Sequence, residues 1–231
     1  MRLKVVKSGS SGNCYLLSTD KGTLLMDCGV KLADIKKSLK YDVKSVVGCI
    51  VSHSHSDHSK SVEDLKKMGI KVFLPYNITK SSATRKNFGR FEITEFPLPH
   101  DDTRNYGFFI KVNGEKILYM TDLEYCKLNF KKQKVNHILI ECNYQDDLIN
   151  RDLPNYEHKI KGHCSLKTCK EFIKSNATED LRTVLLIHMG RETCEPDECV
   201  AEVKKVARNA IVDYARAGME IELQTGKCPF V

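Results

Sequence analysis

A chain of 231 residues, 41% of them hydrophobic, can bury a full core and has room for one large domain or two small ones. Its net charge of +7, from 37 basic and 30 acidic residues, suits a polyanionic partner. No stretch is long and apolar enough to span a membrane as a helix, and Met1–Lys7 alternates charge instead of carrying a long apolar run. Its start therefore reads as a strand and not a secretory signal, and a cytoplasmic location with no membrane partner is expected.

The ten cysteines contain no C-x-x-C pair, which excludes a zinc ribbon. Cys14, Cys28, Cys49 and Cys142 lie in or beside apolar strand segments, where reduced Cys behaves as a small hydrophobe.

In chain order, residues 2–7 alternate and predict an edge strand. Ser8-Gly9-Ser10-Ser11-Gly12-Asn13 is a turn of small residues. It serves either as simple chain reversal at Gly9 and Gly12 or as a loop whose N–H groups and hydroxyls meet a phosphate. Strands over 14–18 and 23–27 follow as hairpins around Asp20-Lys21-Gly22. Leu32, Ile35 and Leu39 mark a helix over 33–39. After a strand at 46–51, Ser59 is placed to cap a helix reaching Met68. A strand at 70–74 stops at Pro75, a helix is expected over 78–86 and a strand over 91–96. Asn113-Gly114 joins strands 106–112 and 116–121 as a hairpin.

Further strands are expected at 137–141, 182–187 and 219–223. Residues 145–153 read as an acidic helix or loop and 154–162 as irregular. Ser165 caps a helix over 166–174. Glu195-Pro196-Asp197-Glu198 opens a helix expected to run to about Ala217, with Val200, Val203, Val206, Ala207, Ala210, Ile211 and Tyr214 on its inner face. With no repeat and no linker composition, one domain over 1–231 is the simplest organisation. Hairpin strands followed by mixed strands and helices suit an α+β sandwich.

The chemistry concentrates in His53-Ser54-His55-Ser56-Asp57-His58, which follows the apolar run Val46–Val51. Four potential ligands fall within six residues. Alternation in an extended segment sends His53, His55 and Asp57 to one side, and a turn can return His58 to them. Imidazole and carboxylate are ligands that Zn, Mn or Fe take from proteins. Asp27, His100, Asp122 and His188 each stand just past an apolar segment, where strands present site residues.

H-x-H-x-D-H with these four further positions resembles the metallo-β-lactamase superfamily. The resemblance implies an αββα sandwich, with two facing sheets, helices outside and the metals at one edge. It makes His53, His55 and His100 ligands of one ion, Asp57, His58 and His188 ligands of a second, and Asp122 the bridge. Asp27 stands behind the His loop and, with Asp57, belongs to the catalytic set.

Within the superfamily the chain is similar to a small stand-alone branch, the WalJ/YycJ-type hydrolases. The matching stretches are Ser8–Asn13, Asp27-Cys28-Gly29, His53–His58, His100-Asp101, Thr121-Asp122, Glu141-Cys142-Asn143, Gly162-His163-Cys164-Ser165 and His188. Cys142 and Cys164 depart from the branch's pattern. The branch implies a metal-dependent phosphodiesterase or nuclease acting on DNA, as an exonuclease, with two divalent ions and a nucleic acid partner. Thioester or lactone hydrolysis by the same site, and a binding protein with a vestigial site, are the competing classes.

His163 is expected to protonate a leaving oxygen or bind phosphate without holding metal, with Glu141 and Asn143 orienting it or lining the cleft. His137 and His158 read as structural. Lys127, Lys131, Lys132 and Lys134 read as a solvated face.

Overall fold

The structure is a computed structural model that describes residues 1–78, 85–150, 152 and 156–223. Its strands are β1 (Arg2–Lys7), β2 (Cys14–Thr19), β3 (Gly22–Met26), β4 (Val46–Ile50), β5 (Val72–Phe73), β6 (Arg85–Phe88), β7 (Phe91–Leu98), β8 (Asn105–Val112), β9 (Glu115–Met120), β10 (His137–Glu141), β11 (Thr183–Ile187), β12 (Ile211–Tyr214) and β13 (Glu220–Glu222). Its helices are α1 (Leu32–Ser38), α2 (Ser56–Ser59), α3 (Val62–Lys67), α4 (Tyr156–Gly162), α5 (Leu166–Asn176) and α6 (Pro196–Lys204).

The strands form two sheets, ordered β13-β1-β2-β3-β4-β5 and β12-β11-β10-β9-β8-β7-β6. Period-two alternation sorts their side chains into layers. In β2, Tyr15 and Leu17 face the other sheet while Cys14 and Leu16 face α1 and α3. In β9, Ile117 and Tyr119 point between the sheets, and Leu118 and Met120 join the layer under α5 and α6. Three apolar clusters therefore stack in order: helices on sheet, sheet on sheet, sheet on helices. This is the αββα sandwich, and it explains why β10 and β11 are buried along their whole length.

Several boundaries differ from the sequence expectation, each for a physical reason. β1 is not an edge, because β13 pairs with it antiparallel from the far end of the chain. The helix expected to begin at Ser59 is two short ones. Ser61 turns its hydroxyl to the Val30 carbonyl at 2.6 Å, and the first helical turn begins already at Ser56, carrying Asp57 and His58. Of the helix expected at 78–86, residues 79–84 lie outside the described residues and 85–88 form strand β6. Residues 156–162, expected irregular, form α4.

The last long helix stops at Lys204. Arg208 takes a left-handed φ of 55°, and β-branched Ile211 and Val212 pair with Thr183 and Val184 as strand β12. The apolar spacing that looked helical holds through Ala207, after which the same residues serve a strand.

Candidate metal centre

β3 and β4 are parallel, as are β9, β10 and β11, so their C-terminal ends share one edge of the sandwich. Asp27, Ser52–His58, Asp122, Glu141 and His188 leave those ends, and His100 follows β7 to the same edge. At three of these exits the chain turns sharply in the left-handed region, with φ of 56° at Asp27, 49° at Asp122 and 50° at His188. That conformation costs energy in a non-glycine residue and persists where the surroundings over-determine it, as at functional sites.

The donors converge into two adjoining groups. His53, His55 and His100 bring one nitrogen each within 4.8 Å of one another, with His53 Nε2 3.0 Å and His100 Nε2 3.4 Å from His55 Nδ1. Asp57, His58, Asp122 and His188 form the second group at the same spacing. Asp122 faces both. Its Oδ1 lies 3.2 Å from His58 Nε2, and its Oδ2 lies 3.9 Å from His53 Nε2 and 4.0 Å from His100 Nε2. All seven residues expected as ligands are thus brought together.

The donor set fits a metal. The outward nitrogen of each imidazole is held by the protein: His53 Nδ1 on Ser52 Oγ, His55 Nε2 on Thr103 Oγ1, His58 Nδ1 on Asp27, His100 Nδ1 on the Gly162 carbonyl and His188 Nδ1 on Glu141. The other nitrogen of each ring is turned to the centre, the usual arrangement behind metal-bound imidazole. His188 Nε2 is buried with no hydrogen-bond partner among the described residues. A buried polar atom left so would cost about 1–3 kcal/mol, which a cation at this point removes. Burial, and then His58 beside it, pushes His53 well below the usual imidazole range, so it is neutral and available as a ligand. Burial alone would raise the Asp122 carboxyl, but His188 and His58 hold it well below its usual range, as an anion.

Asp27 is fully buried behind His58, away from the cleft. It accepts from His58 Nδ1 at 2.6 Å, from the Ser52 N–H at 2.7 Å, from Ser52 Oγ at 3.0 Å and from Tyr119 OH at 2.5 Å. Glu141 plays the same part on the other side. Its Oε1 accepts from His188 at 2.6 Å and from His163 at 2.8 Å, and its Oε2 accepts from the N–H groups of Leu123 and Cys164. His163 follows α4, just before Ser165, which caps α5 by accepting from the Thr168 N–H at 3.1 Å. Burial works against the His163 imidazolium, but the Glu141 carboxylate outweighs it and raises the group above its usual range.

A cleft of about 640 Å³ opens over the centre. Ser8–Ser11, Asp57, Asn143, His163 and the 188–193 segment line it. The Ser8–Asn13 loop is tied into the centre: Ser8 Oγ accepts from the His188 N–H at 2.9 Å, and Asn13 Nδ2 stands 2.9 Å from His58 Nε2. Gly29 permits this packing, since a Cβ there would fall 1.6 Å from the Asp57 carbonyl oxygen.

His158, read as structural from sequence, lines the same cleft, with Nδ1 3.1 Å from Asp101 Oδ2. His137 lies inside β10, away from the centre. The lysines at 127, 131, 132 and 134 are exposed and outside the cleft. Sequence reasoning missed Ser52, Thr103, Tyr119 and Lys159. Ser52 adjoins the motif and was open to discovery there. The others carry no local signal.

Residues 8–73 match the family model described as Metallo-beta-lactamase superfamily. The chain is 24% identical over 220 residues to "Exodeoxyribonuclease YycJ" of Bacillus anthracis, covering 82% of this chain and 83% of that one. It is 21% identical to "Exodeoxyribonuclease WalJ" of Streptococcus pneumoniae serotype 2, covering 83% and 82%. The solved structure of the metallo-beta-lactamase fold protein YhfI from Bacillus subtilis superposes with a TM-score of 0.72 at 20% identity, over 95% of this chain and 98% of that one. The expected fold and branch resemblance both stand: the chain has the metallo-β-lactamase fold, matches that superfamily's model over residues 8–73, and is a metal-dependent hydrolase similar to the WalJ/YycJ proteins.

Proposed function

We propose that the protein is a cytoplasmic DNA phosphodiesterase, an exonuclease, whose single domain over 1–231 uses two divalent ions. His53, His55 and His100 would hold one and Asp57, His58 and His188 the other, with Asp122 standing between the two groups. Zn, Mn and Fe all suit this mixed nitrogen and oxygen set. The observation that carries the reading is Asp122, which offers one carboxylate oxygen to each donor group. The names of the YycJ and WalJ relatives support DNA as the substrate.

When bound, a pair of such ions activates water and neutralises charge on the scissile phosphate. The chain's own residues do the rest. Asp57, whose side chain is partly exposed where it lines the cleft, orients the attacking water. Asp27 acts through His58 and not on substrate. His163, held by Glu141 with its imidazolium favoured, donates a proton to the departing oxygen.

Lys159 favours a phosphodiester over a thioester or lactone. It is half-buried in the cleft, and its ammonium donates to the neutral acceptors Asn143 Oδ1 at 3.1 Å and Thr193 Oγ1 at 3.3 Å. Among the described residues no carboxylate stands within ion-pair distance of it, so an anionic substrate supplies the missing counter-charge.

The test is a panel of single- and double-stranded DNA and RNA, a thioester and a lactone, each with Mn, Zn or Mg. DNA cleavage that weakens steeply with salt supports the proposal; three to five phosphate contacts correspond to a log–log slope of about −3 to −4.5. Turnover confined to the thioester or lactone, indifferent to salt, overturns it.

A further inference from the structure

Four cysteines meet in the apolar layer under α5 and α6, outside the cleft. Cys142 follows β10, Cys194 lies in the segment after β11, Cys199 sits in the first half of α6, and Cys169 is on α5. All four are buried. The sulfurs of Cys142, Cys194 and Cys199 lie within 4.8 Å of one another, and Cys169 hydrogen-bonds Cys142. No local spacing announces this set, because its members come from four separate segments.

We propose that Cys142, Cys194 and Cys199, with Cys169 as fourth thiol, form a sulfur-only site for a soft divalent cation of the zinc class, separate from the cleft.

Three observations carry it. The first is distance. Tetrahedral Zn–S bonds of about 2.3 Å put sulfurs about 3.8 Å apart, so the three need close by no more than about 1 Å. The second is that these thiols, although they sit in the apolar layer under α5 and α6, also make polar contacts. Cys194 Sγ donates to the Cys142 carbonyl at 3.3 Å, and Cys199 Sγ to Gln145 Oε1 at 3.4 Å. The third is support around the set. Gln145 Oε1 also accepts from the Glu195 N–H at 2.6 Å, fixing the start of α6 against it.

The site is closed, with no vertex open to solvent, so its role is to hold structure and not to catalyse. Binding releases the thiol protons to solvent. It would pin residues 190–195, which carry Thr193 at the cleft wall, to β10 and α6. Thiolate softness also separates the two kinds of site: Mn and Mg suit the imidazole and carboxylate centre and not this one.

The full chain, stripped of metal under reducing conditions, is titrated with Co²⁺. The imidazole and carboxylate centre gives only weak visible absorption, whereas thiolate ligation gives an intense near-ultraviolet sulfur-to-cobalt band. The band is expected in the wild type, saturating at one equivalent and bleached by Zn²⁺. It should fall at least about tenfold in Cys194→Ser and Cys199→Ser and persist in Cys126→Ser, which lies outside the set. No band in the folded wild type, or an undiminished band in both set variants, overturns the proposal. Should the set variants fail to fold, X-ray absorption of the wild-type zinc protein decides: sulfur neighbours at about 2.3 Å support the site, and nitrogen and oxygen alone overturn it.

Discussion

Glu141 Oε1 lies 2.6 Å from Nδ1 of His188, and through that one contact a buried strand-end carboxylate sets the direction of an imidazole facing the centre. The same oxygen takes His163, while Oε2 accepts two backbone N–H groups, so all of Glu141's hydrogen bonds are donated to it. In Glu141→Gln one end of the group becomes a donor facing donors. Metal affinity at the second group should fall about 10- to 100-fold, with the fold kept. Chelator competition measures it, and an unchanged affinity would remove Glu141 from the support of His188.

Asp122 and Asp27 are both buried carboxylates at strand ends, but only Asp122 stands between the donor groups. Asp122→Asn removes negative charge from between two cations, whereas Asp27→Asn removes a hydrogen-bond acceptor behind one imidazole. Elemental analysis after dialysis should show the larger loss of metal in Asp122→Asn. A larger loss in Asp27→Asn would contradict the bridging assignment.

His163→Ala should keep both ions and the fold while turnover of DNA falls by at least about a hundredfold, the low end for a positioned general acid. A nitrophenyl phosphodiester, whose leaving group needs no proton, should suffer much less. Equal losses on the two substrates would indicate phosphate binding instead, and full activity a purely structural His163.

Gly29→Ala tests the packing of the His loop on Ser8–Asn13. Its Cβ would stand 1.6 Å from the Asp57 oxygen and 2.5 Å from the His58 nitrogen, both backbone atoms that no rotamer change can move. The variant should lose more than about 3 kcal/mol of stability, or keep its fold only by displacing Asp57 and His58. Thermal unfolding and metal content report the two outcomes. Wild-type values for both would mean the loop is free to shift.

His137 should shape the acid limb of stability. Burial, with Arg182 and the N-terminal amine adding to it, pushes its imidazole down to about 3. Its Nε2 is 3.3 Å from Glu115 Oε2, but Arg182 also occupies that carboxylate. The unfolded chain therefore takes up a proton near pH 6.5 that the folded chain refuses until about pH 3, so stability falls as pH drops through that window. His137→Leu should make the dependence shallower by up to about one proton, or about 1.4 kcal/mol per pH unit. Urea unfolding of both proteins between about pH 5 and 7 measures the difference; parallel curves would place the proton uptake elsewhere.

H-x-H-x-D-H, the apolar runs ending at Asp27, His100, Asp122 and His188, and the Asn113-Gly114 hairpin were legible in the sequence because each is local. A ligand at a strand end is announced by the strand before it, and an alternating strand states which of its residues face a core. From these the candidate donors, most sheet-forming segments and an α+β sandwich follow, while the αββα layering was implied by the resemblance to the superfamily. The end of α6 was not legible, since apolar residues at 200, 203 and 207 satisfy a helix and the pairing of Val212 with Val184 that makes a strand is made across the fold. Tyr119 hydrogen-bonds Asp27 from 92 residues away, and Lys159 meets Asn143 and Thr193 on two other segments. The cysteine cluster likewise joins residues that no spacing links. Contacts of this kind depend on which strand ends the two sheets bring to one edge, and only the packing of the whole chain decides that.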